Sequence, residues 1–140
     1  MNVRAFASVA VGDTIGPVTI PVSRAALVAY ASASGDHNPI HQNEEFAKGV
    51  GLPNVIAHGM FTMGATGTVV SDWAGDAGRV VQFGTRFSAM VVVPEEGTDI
   101  QVTGVVKALD TDAETATVEL TTTCDGTKVL GRCLAVVRLG

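Results

Sequence analysis

The pattern of apolar and polar positions along the chain changes its period near Gly78. After this residue come four segments rich in valine and threonine, at 79–93, 98–109, 114–124 and 128–139. Valine and threonine favour strands, and the Pro, Gly and Asp residues between the segments are typical of tight turns. The pattern predicts an antiparallel meander of four long strands, to which a strand region at 3–22 adds a fifth.

The first half of the chain has a helical pattern. Ser23 is a good N-cap for a first helix, which Gly35 ends, and Asn43 can cap a short second helix. The buried side of the second helix is predicted to consist of Phe46, Ala47 and Val50. The run at 60–73 is apolar or small on nearly every face, which predicts a buried helix. We therefore expect an α+β fold, one domain over 1–140, with the sheet curled round the long helix.

Composition and charge narrow the classes of function. Hydrophobic residues make up 46% of the chain and charged residues only 16%, which predicts a well-filled core. The net charge of −5 disfavours nucleic-acid binding. Because a mean hydropathy of +0.33 is high for a monomer, we expect a partner subunit to cover part of the apolar surface.

The sequence gives no signal for a membrane or for secretion. Residues 1–10 lack the sustained apolar core of a signal peptide, and the run at 60–73 is too short to span a bilayer. Cys124 and Cys133 could face each other on a hairpin, but nothing else suggests a disulfide scaffold. We expect a cytoplasmic protein with reduced thiols and no contact with a membrane.

A polar loop between the first two helices holds the strongest candidate chemistry. Asp36 and His41 lie five apart around Pro39, which prevents a continuous helix, so both side chains can face one cleft and hold one water. A carboxylate and an imidazole around a water can remove and return its proton. The alternative is that Asp36 only caps the loop and His41 is a satisfied, half-buried residue. Asn38 is expected to fix the loop.

His58 and Gly59 stand where the long helix begins. The free N–H groups and positive dipole of a helix start suit a carbonyl oxygen that gains negative charge during a reaction. Gly59 has no side chain to block a close approach. His58 is either a supporting residue of this site or a packed loop residue.

Other chemistries are less well supported by the sequence. A metal site built from Asp36, His37 and His41 is opposed by Pro39, because the two histidines cannot share a helix face, and no cysteine is near. Ser34 lacks the Gly-x-Ser-x-Gly elbow of a serine nucleophile. We expect no metal ligands in this chain.

Two segments carry a resemblance to a known family. The stretch from Tyr30 to Ala47, with Gly-Asp-x-Asn-Pro-Ile-His, closely resembles the hydratase-2 motif of MaoC-like (R)-specific enoyl-CoA hydratases. Ala57-His58-Gly59-Met60 is similar to that family's second signature. Within the family, the chain looks most similar to the B-type (HadB-type) subunits of mycobacterial (3R)-hydroxyacyl-ACP dehydratases. The resemblance implies a hotdog fold, in which an antiparallel sheet wraps a long helix.

The resemblance also implies an activity and roles for residues. The expected reaction is (R)-specific hydration or dehydration, which interconverts trans-2-enoyl and (3R)-3-hydroxyacyl thioesters in fatty-acid metabolism. Asp36 and His41 would be the catalytic pair and the Gly59 N–H the oxyanion donor, while Asn38 and His58 would support the site. Arg86-Phe87 resembles a pair at the family's sheet interface.

The family also implies how substrate and subunits come together. No cofactor is expected, since CoA or the phosphopantetheine of acyl carrier protein (ACP) carries the acyl group. A homodimer or a heterodimer with a second hotdog subunit is expected. Two alternatives are a non-catalytic hotdog module that binds acyl thioesters and a hotdog thioesterase, although residues 60–71 lack the acid that a thioesterase carries on its central helix.

Overall fold

The computed structural model describes residues 2–140 and contains one antiparallel sheet with a helix across its concave face. The strands are β1 (Thr14–Val22), β2 (Val80–Phe87), β3 (Thr98–Asp110), β4 (Thr115–Cys124), β5 (Thr127–Lys128) and β6 (Leu130–Arg138). The helices are α1 (Arg24–Ser34), α2 (Glu44–Gly49) and α3 (Gly59–Ala74). The strand order is β1-β3-β4-β6-β2, and the short β5 pairs with β4 alone. This is the α+β hotdog arrangement that the resemblance implied.

The predicted meander of four consecutive strands is wrong for its first member. Only β3, β4 and β6 follow one another in the sheet, while β2 lies at the far edge against β6. The predicted strand at 79–93 is interrupted after Phe87. Its second part pairs instead with the segment before α3, where Ala57 N–H donates to Val91 O at 2.9 Å and Val93 N–H donates to Val55 O at 2.7 Å. This exchange of partners carries the chain across the molecule to β3.

The long helix α3 is buried on one side only. The buried side consists of Thr62, Thr66, Val69, Val70 and Ala74, and it faces the inner side chains of the sheet. On the opposite side Met60, Gly64 and Thr68 are exposed. The prediction of a helix buried on every face is therefore wrong for the single chain. Among residues 2–140, no helix is long and apolar enough to cross a membrane.

The predicted helix caps are confirmed. Ser23 Oγ accepts a hydrogen bond from the Ala26 N–H at 3.0 Å, and Gly35 ends α1 with the left-handed φ of +81° that glycine tolerates. Asn43 Oδ1 accepts from the Phe46 N–H at 2.9 Å and so begins α2. These caps fix both ends of the polar loop between the helices.

The predicted buried side of α2 is wrong for two of its three residues. Ala47 is fully buried, but Phe46 is 43% and Val50 57% exposed. A helix of six residues offers little more than one turn of contact, and here that contact is made through Ala47.

Arg24 links four segments around the site. Its Nε donates to Val93 O at 3.1 Å, and its Nη2 donates to Asn54 Oδ1 at 2.9 Å and lies 3.4 Å from Glu44 Oε1. The hydrogen bond from Arg24 holds the pKa of Glu44 below its usual range. Arg24 thus connects α1, the start of α2, the loop before α3 and the segment before β3.

The two cysteines do not face each other. In the sheet register Cys124 is opposite Thr127 and Cys133 is opposite Leu120. Both thiols are free and buried, and burial raises the pKa of Cys133. The cysteines therefore act as core residues.

Candidate active site

The polar loop is held by hydrogen bonds within itself. Asp36 Oδ1 accepts from the Asn38 N–H at 3.2 Å, and Asn38 Oδ1 accepts from the Ile40 N–H at 3.2 Å. Asn38 thereby caps a single 3₁₀ turn, Pro39–His41, whose first residue needs no N–H donor. This turn brings His41 back towards Asp36. Asn38 occupies the loop-fixing position that the sequence predicted.

His41 is buried, and its orientation is fixed by the backbone. Its Nδ1 lies 2.7 Å from Ile56 O. Because a carbonyl oxygen can only accept, Nδ1 carries the proton, and the Nε2 of the neutral ring keeps a lone pair. Nε2 lies 4.0 Å from Asp36 Oδ2, which is too far for a direct hydrogen bond.

The gap between Asp36 and His41 has the dimensions of a water site. A water that donates to two acceptors places them about 4.4 Å apart, given hydrogen bonds of about 2.8 Å and a bond angle of about 105°. The observed separation is 4.0 Å, and the Asp36 side chain is 52% exposed, so water can enter. The geometry fits one water between a carboxylate and an imidazole lone pair.

His58 contacts both members of this pair. Its ring stacks on the His41 ring with centroids 3.8 Å apart, and its Nε2 lies 3.1 Å from the backbone oxygen of Asp36. The Tyr30 ring packs edge-on against it at 4.7 Å. Burial lowers the pKa of His58, so the ring is neutral with its proton on Nε2. Its Nδ1 is buried and has no hydrogen-bond partner among residues 2–140.

Asp36, His41 and His58 also place possible metal-ligand atoms within 4.8 Å of one another. The predicted rival site used His37 instead of His58, but His37 is exposed and outside this group. The planes of the His41 and His58 rings differ by only 23°. Since nitrogen lone pairs lie in the ring planes, those of two stacked rings run side by side and do not converge on one ion. The cluster does not fit a metal centre.

A cavity of about 450 Å³ opens beside His41. Its walls include His41, Gly59, Thr62, Phe87, Met90 and Leu130. Gly59 is the first residue of α3, and its N–H has no acceptor among residues 2–140. Asp36, Asn38 and His58 are not part of the wall. Asp36 stands next to the cavity, across the gap from His41.

Phe87 and Thr62 are among the residues of the wall that were not assigned to the site from the sequence. Phe87 was placed at the sheet interface, yet its ring lies so close to Gly59 that a Cβ there would be 3.0 Å from it. Because Gly59 has no side chain, the Phe87 ring can lie this close to it. Thr62 was missed altogether. Its position three residues after Gly59 in a predicted helix was the available signal, because residues three apart share a helix face.

Comparison with known proteins places this chain in a family. The family described as "MaoC like domain" matches residues 6–124. A 3-hydroxyacyl-thioester dehydratase X from Mycobacterium tuberculosis is 42% identical over 73 residues, which are 52% of this chain and 25% of that protein. The chain spans at most a quarter of the length of the first curated relatives that it matches.

Solved structures agree with this assignment. A structure described as a MaoC-like dehydratase is 42% identical with a TM-score of 0.95, over 99% of this chain and 43% of the other. The (R)-hydratase from A. caviae involved in PHA biosynthesis has the same fold, with a TM-score of 0.85, 24% identity, and coverage of 95% of this chain and 98% of the other. The predictions of fold and family are confirmed: the chain belongs to the MaoC-like domain family.

Proposed function

We propose that this protein interconverts trans-2-enoyl and (3R)-3-hydroxyacyl thioesters by reversible addition of water. The observation that carries the proposal is the 4.0 Å gap between Asp36 Oδ2 and His41 Nε2, beside a cavity lined by Gly59, whose N–H has no acceptor among residues 2–140. A water activator and an oxyanion donor in one cavity are what this reaction requires. The names of the family relatives point to the same chemistry.

In the hydration direction, a water donates hydrogen bonds to Asp36 and His41 and passes one proton to this pair. Its oxygen bonds to C3 of the enoyl group while the π electrons of the C2–C3 bond move towards the thioester carbonyl. The negative charge that develops on the carbonyl oxygen is stabilised by the Gly59 N–H at the positive end of α3. The Asp36/His41 pair then returns one proton to C2 on the same face, which restores the pair to its starting state, and dehydration follows the reverse path.

The acyl thioester is proposed to occupy the cavity beside His41. Its wall is mainly apolar, from Phe87 and Met90 to Leu130, which suits the acyl chain. The carrier, CoA or ACP, would remain outside, with its phosphopantetheine arm reaching in. In this proposal protein groups and water supply every proton transfer.

We further propose that a second hotdog subunit, identical or different, completes the assembly. Among residues 2–140, the outer edge of β2 has no partner strand. Large apolar side chains are exposed near this edge and on α3, with Val81 52%, Phe87 55% and Met60 56% exposed. A free edge beside apolar side chains is typical of a surface that pairs with another sheet. The mass of the protein in solution, alone and with a co-expressed hotdog subunit, tests this.

The reaction is tested by hydration of trans-2-enoyl-CoA substrates with four and twelve acyl carbons, followed by the loss of enoyl absorbance. We expect turnover and a (3R)-hydroxyacyl product in chiral analysis. Asp36→Asn and His41→Ala should each lower kcat by at least about 100-fold with little change in stability, because each removes one side of the water site. His37→Ala and Asp112→Asn are matched controls, since both side chains are exposed and neither belongs to the proposed catalytic pair.

The same assays can overturn the proposal. Near-normal turnover in either Asp36→Asn or His41→Ala would show that the pair is not catalytic. If enoyl-CoA and enoyl-ACP are bound without turnover even with the partner subunit present, the chain is a binding module. Release of free CoA thiol in place of hydration would identify a thioesterase.

A further inference from the structure

Thr62 lies in the first turn of α3 and forms part of the cavity wall. It is only 4% exposed, and it shares the cavity with His41 and Gly59. A buried polar side chain at a cavity wall needs a partner for its hydrogen-bonding group. The Thr62 hydroxyl therefore needs a hydrogen-bond partner, either in the protein or in the cavity.

The other hydroxyls of α3 all have protein partners. Thr66 Oγ1 lies 2.8 Å from Thr122 Oγ1, while Thr68 and Ser71 donate to the carbonyl oxygens four residues before them, each at 3.1 Å. The Thr62 hydroxyl has no such bond within residues 2–140. The carbonyl that it could have reached in its own helix, His58 O, already accepts from the N–H groups of Phe61 and Thr62. The Thr62 hydroxyl is therefore free to form a hydrogen bond with a molecule bound in the cavity.

The position of Thr62 relative to Gly59 indicates which group in the cavity the hydroxyl would bond. Residues three apart in a helix lie on the same face, one turn from each other, and Thr62 and Gly59 both line the cavity. A group that contacts the free N–H of Gly59 is therefore within reach of the hydroxyl as well. Oxyanions in enzyme sites are usually held by more than one preorganised donor.

We propose that the Thr62 hydroxyl is a second hydrogen-bond donor to the thioester carbonyl oxygen, beside the Gly59 N–H. This rests on the proposed hydratase function. As the C2–C3 π electrons move to the carbonyl oxygen, the hydrogen bond from Thr62 strengthens, and the proton stays on Thr62 throughout. Thr62 would thus be a catalytic residue that acts through charge stabilisation and transfers no proton.

The test is a pair of substitutions at this position. Thr62→Val keeps the shape and removes the hydroxyl, while Thr62→Ser keeps the hydroxyl and removes only the methyl group. We expect Thr62→Val to lower kcat 10- to 100-fold and to raise KM threefold or more, and Thr62→Ser to stay within threefold of the wild type in both constants. The melting temperature of Thr62→Val should not fall, because its hydroxyl has no protein partner to lose.

Thr66→Val is the matched control on the next turn of the same helix. It breaks the buried pair with Thr122, so it should lower the melting temperature while leaving kcat close to that of the wild type. The opposite effects of the two variants separate a catalytic hydroxyl from a structural one. Wild-type kcat in Thr62→Val, or equal losses in Thr62→Val and Thr62→Ser, would overturn the proposal.

A binding measurement separates this inference from the proposed reaction. Butyryl-CoA has the thioester carbonyl but no double bond to hydrate, so its Kd does not depend on turnover. We expect equal Kd values for the wild type and Thr62→Ser and at least a threefold higher Kd for Thr62→Val. This test of Thr62 holds even if the protein shows no hydratase turnover. Equal Kd values for all three proteins would then overturn the inference as well. A Kd difference without turnover would support Thr62 and reject the hydratase function.

Discussion

His58 shows how much of the site depends on one buried ring. Its Nε2–H donates to the backbone oxygen of Asp36 while its face supports His41, so it orients both members of the proposed catalytic pair. A protonated His58 would carry a second N–H at Nδ1, where no acceptor is present among residues 2–140. The fold therefore requires this imidazole to stay neutral.

This requirement predicts a pH dependence of stability. The pKa of His58 is lowered in the folded protein, so below its ordinary value of about 6.5 the unfolded chain takes up a proton that the folded chain resists. The free energy of unfolding should consequently fall as the pH drops below this value. His58→Gln keeps a donor for Asp36 O but cannot be protonated. We expect the stability difference between the wild type and His58→Gln to shrink from pH 8 to pH 5 in urea denaturation.

Parallel pH profiles for the two proteins would contradict this interpretation. His37→Ala is the control, because it removes an exposed histidine in place of the buried one. Its pH profile should follow that of the wild type.

At the scale of single residues, the sequence predicted which residues lie near the candidate site better than it predicted how their side chains are oriented. Asp36, His41 and Gly59 were found because a proline-containing polar loop and a helix start are local features. The contact between His58 and Asp36 O was not found, since it joins residues 22 apart and depends on the stacking of two rings from separate segments. Thr62 was missed for a similar reason, because a cavity wall is formed by several elements.

At the scale of elements, a chain of hydrogen bonds connects α1 to the site. Arg24 donates to Asn54 Oδ1, which also accepts from the Val55 N–H, and the next residue, Ile56, supplies the carbonyl that orients His41. Arg24 also donates to Val93 O, on the segment that pairs with this loop. The position of the imidazole thus depends on a side chain in the first turn of another helix.

Arg24→Met should therefore affect both stability and activity. It removes the side-chain donor to Val93 O and leaves Asn54 Oδ1 with only the Val55 N–H, which we expect to cost about 1–3 kcal/mol in the free energy of unfolding. We also expect a lower kcat, because the Ile56 carbonyl is held less firmly. Lys107→Met is a control, since its ion pair with Glu119 is about half exposed on both sides and should contribute less than about 1 kcal/mol. Similar unfolding midpoints for the two variants would reject the role of Arg24.

The elements themselves were predicted best where their signals are local. Ser23, Gly35 and Asn43 bound their helices as expected, because a cap acts within a few residues of itself. The end of β2 at Phe87 was not predicted, because Val91 and Val93 continue the strand-like pattern although their partner is now the segment before α3. The pattern of residue types predicts that a segment is extended and buried, but it does not predict which strand lies beside that segment.

At the scale of the whole molecule, Gly64 distinguishes an isolated chain from an assembled one. A Cβ at Gly64 would meet no atom within 4 Å in the single chain, and the residue lies in the exposed stripe of α3. In a lone monomer, Gly64→Ala should raise stability by about 0.5–1 kcal/mol, because alanine favours helices more than glycine does. If a partner subunit packs there, a larger side chain should prevent its close approach.

We expect Gly64→Leu to remain folded but to lose the partner subunit. Light scattering after size-exclusion chromatography should then give the mass of one chain, where we expect the wild type to give that of two. Gly49→Leu is the control, because Gly49 is equally open but lies on α2. An unchanged mass for Gly64→Leu would place the interface elsewhere on the surface.

The strand order has a consequence for biosynthesis. β6 is synthesised after the five other strands, and it lies between β4 and β2 in the sheet. Until it leaves the ribosome, β2 has no partner strand and β4 lacks the neighbour that β6 provides along one edge. A nascent chain that pauses before Leu130 would expose apolar strands to solvent and to chaperones. The native sheet therefore cannot close until Arg138 has left the ribosome, and the last strand pairings are expected to form only after all the other strands have been made.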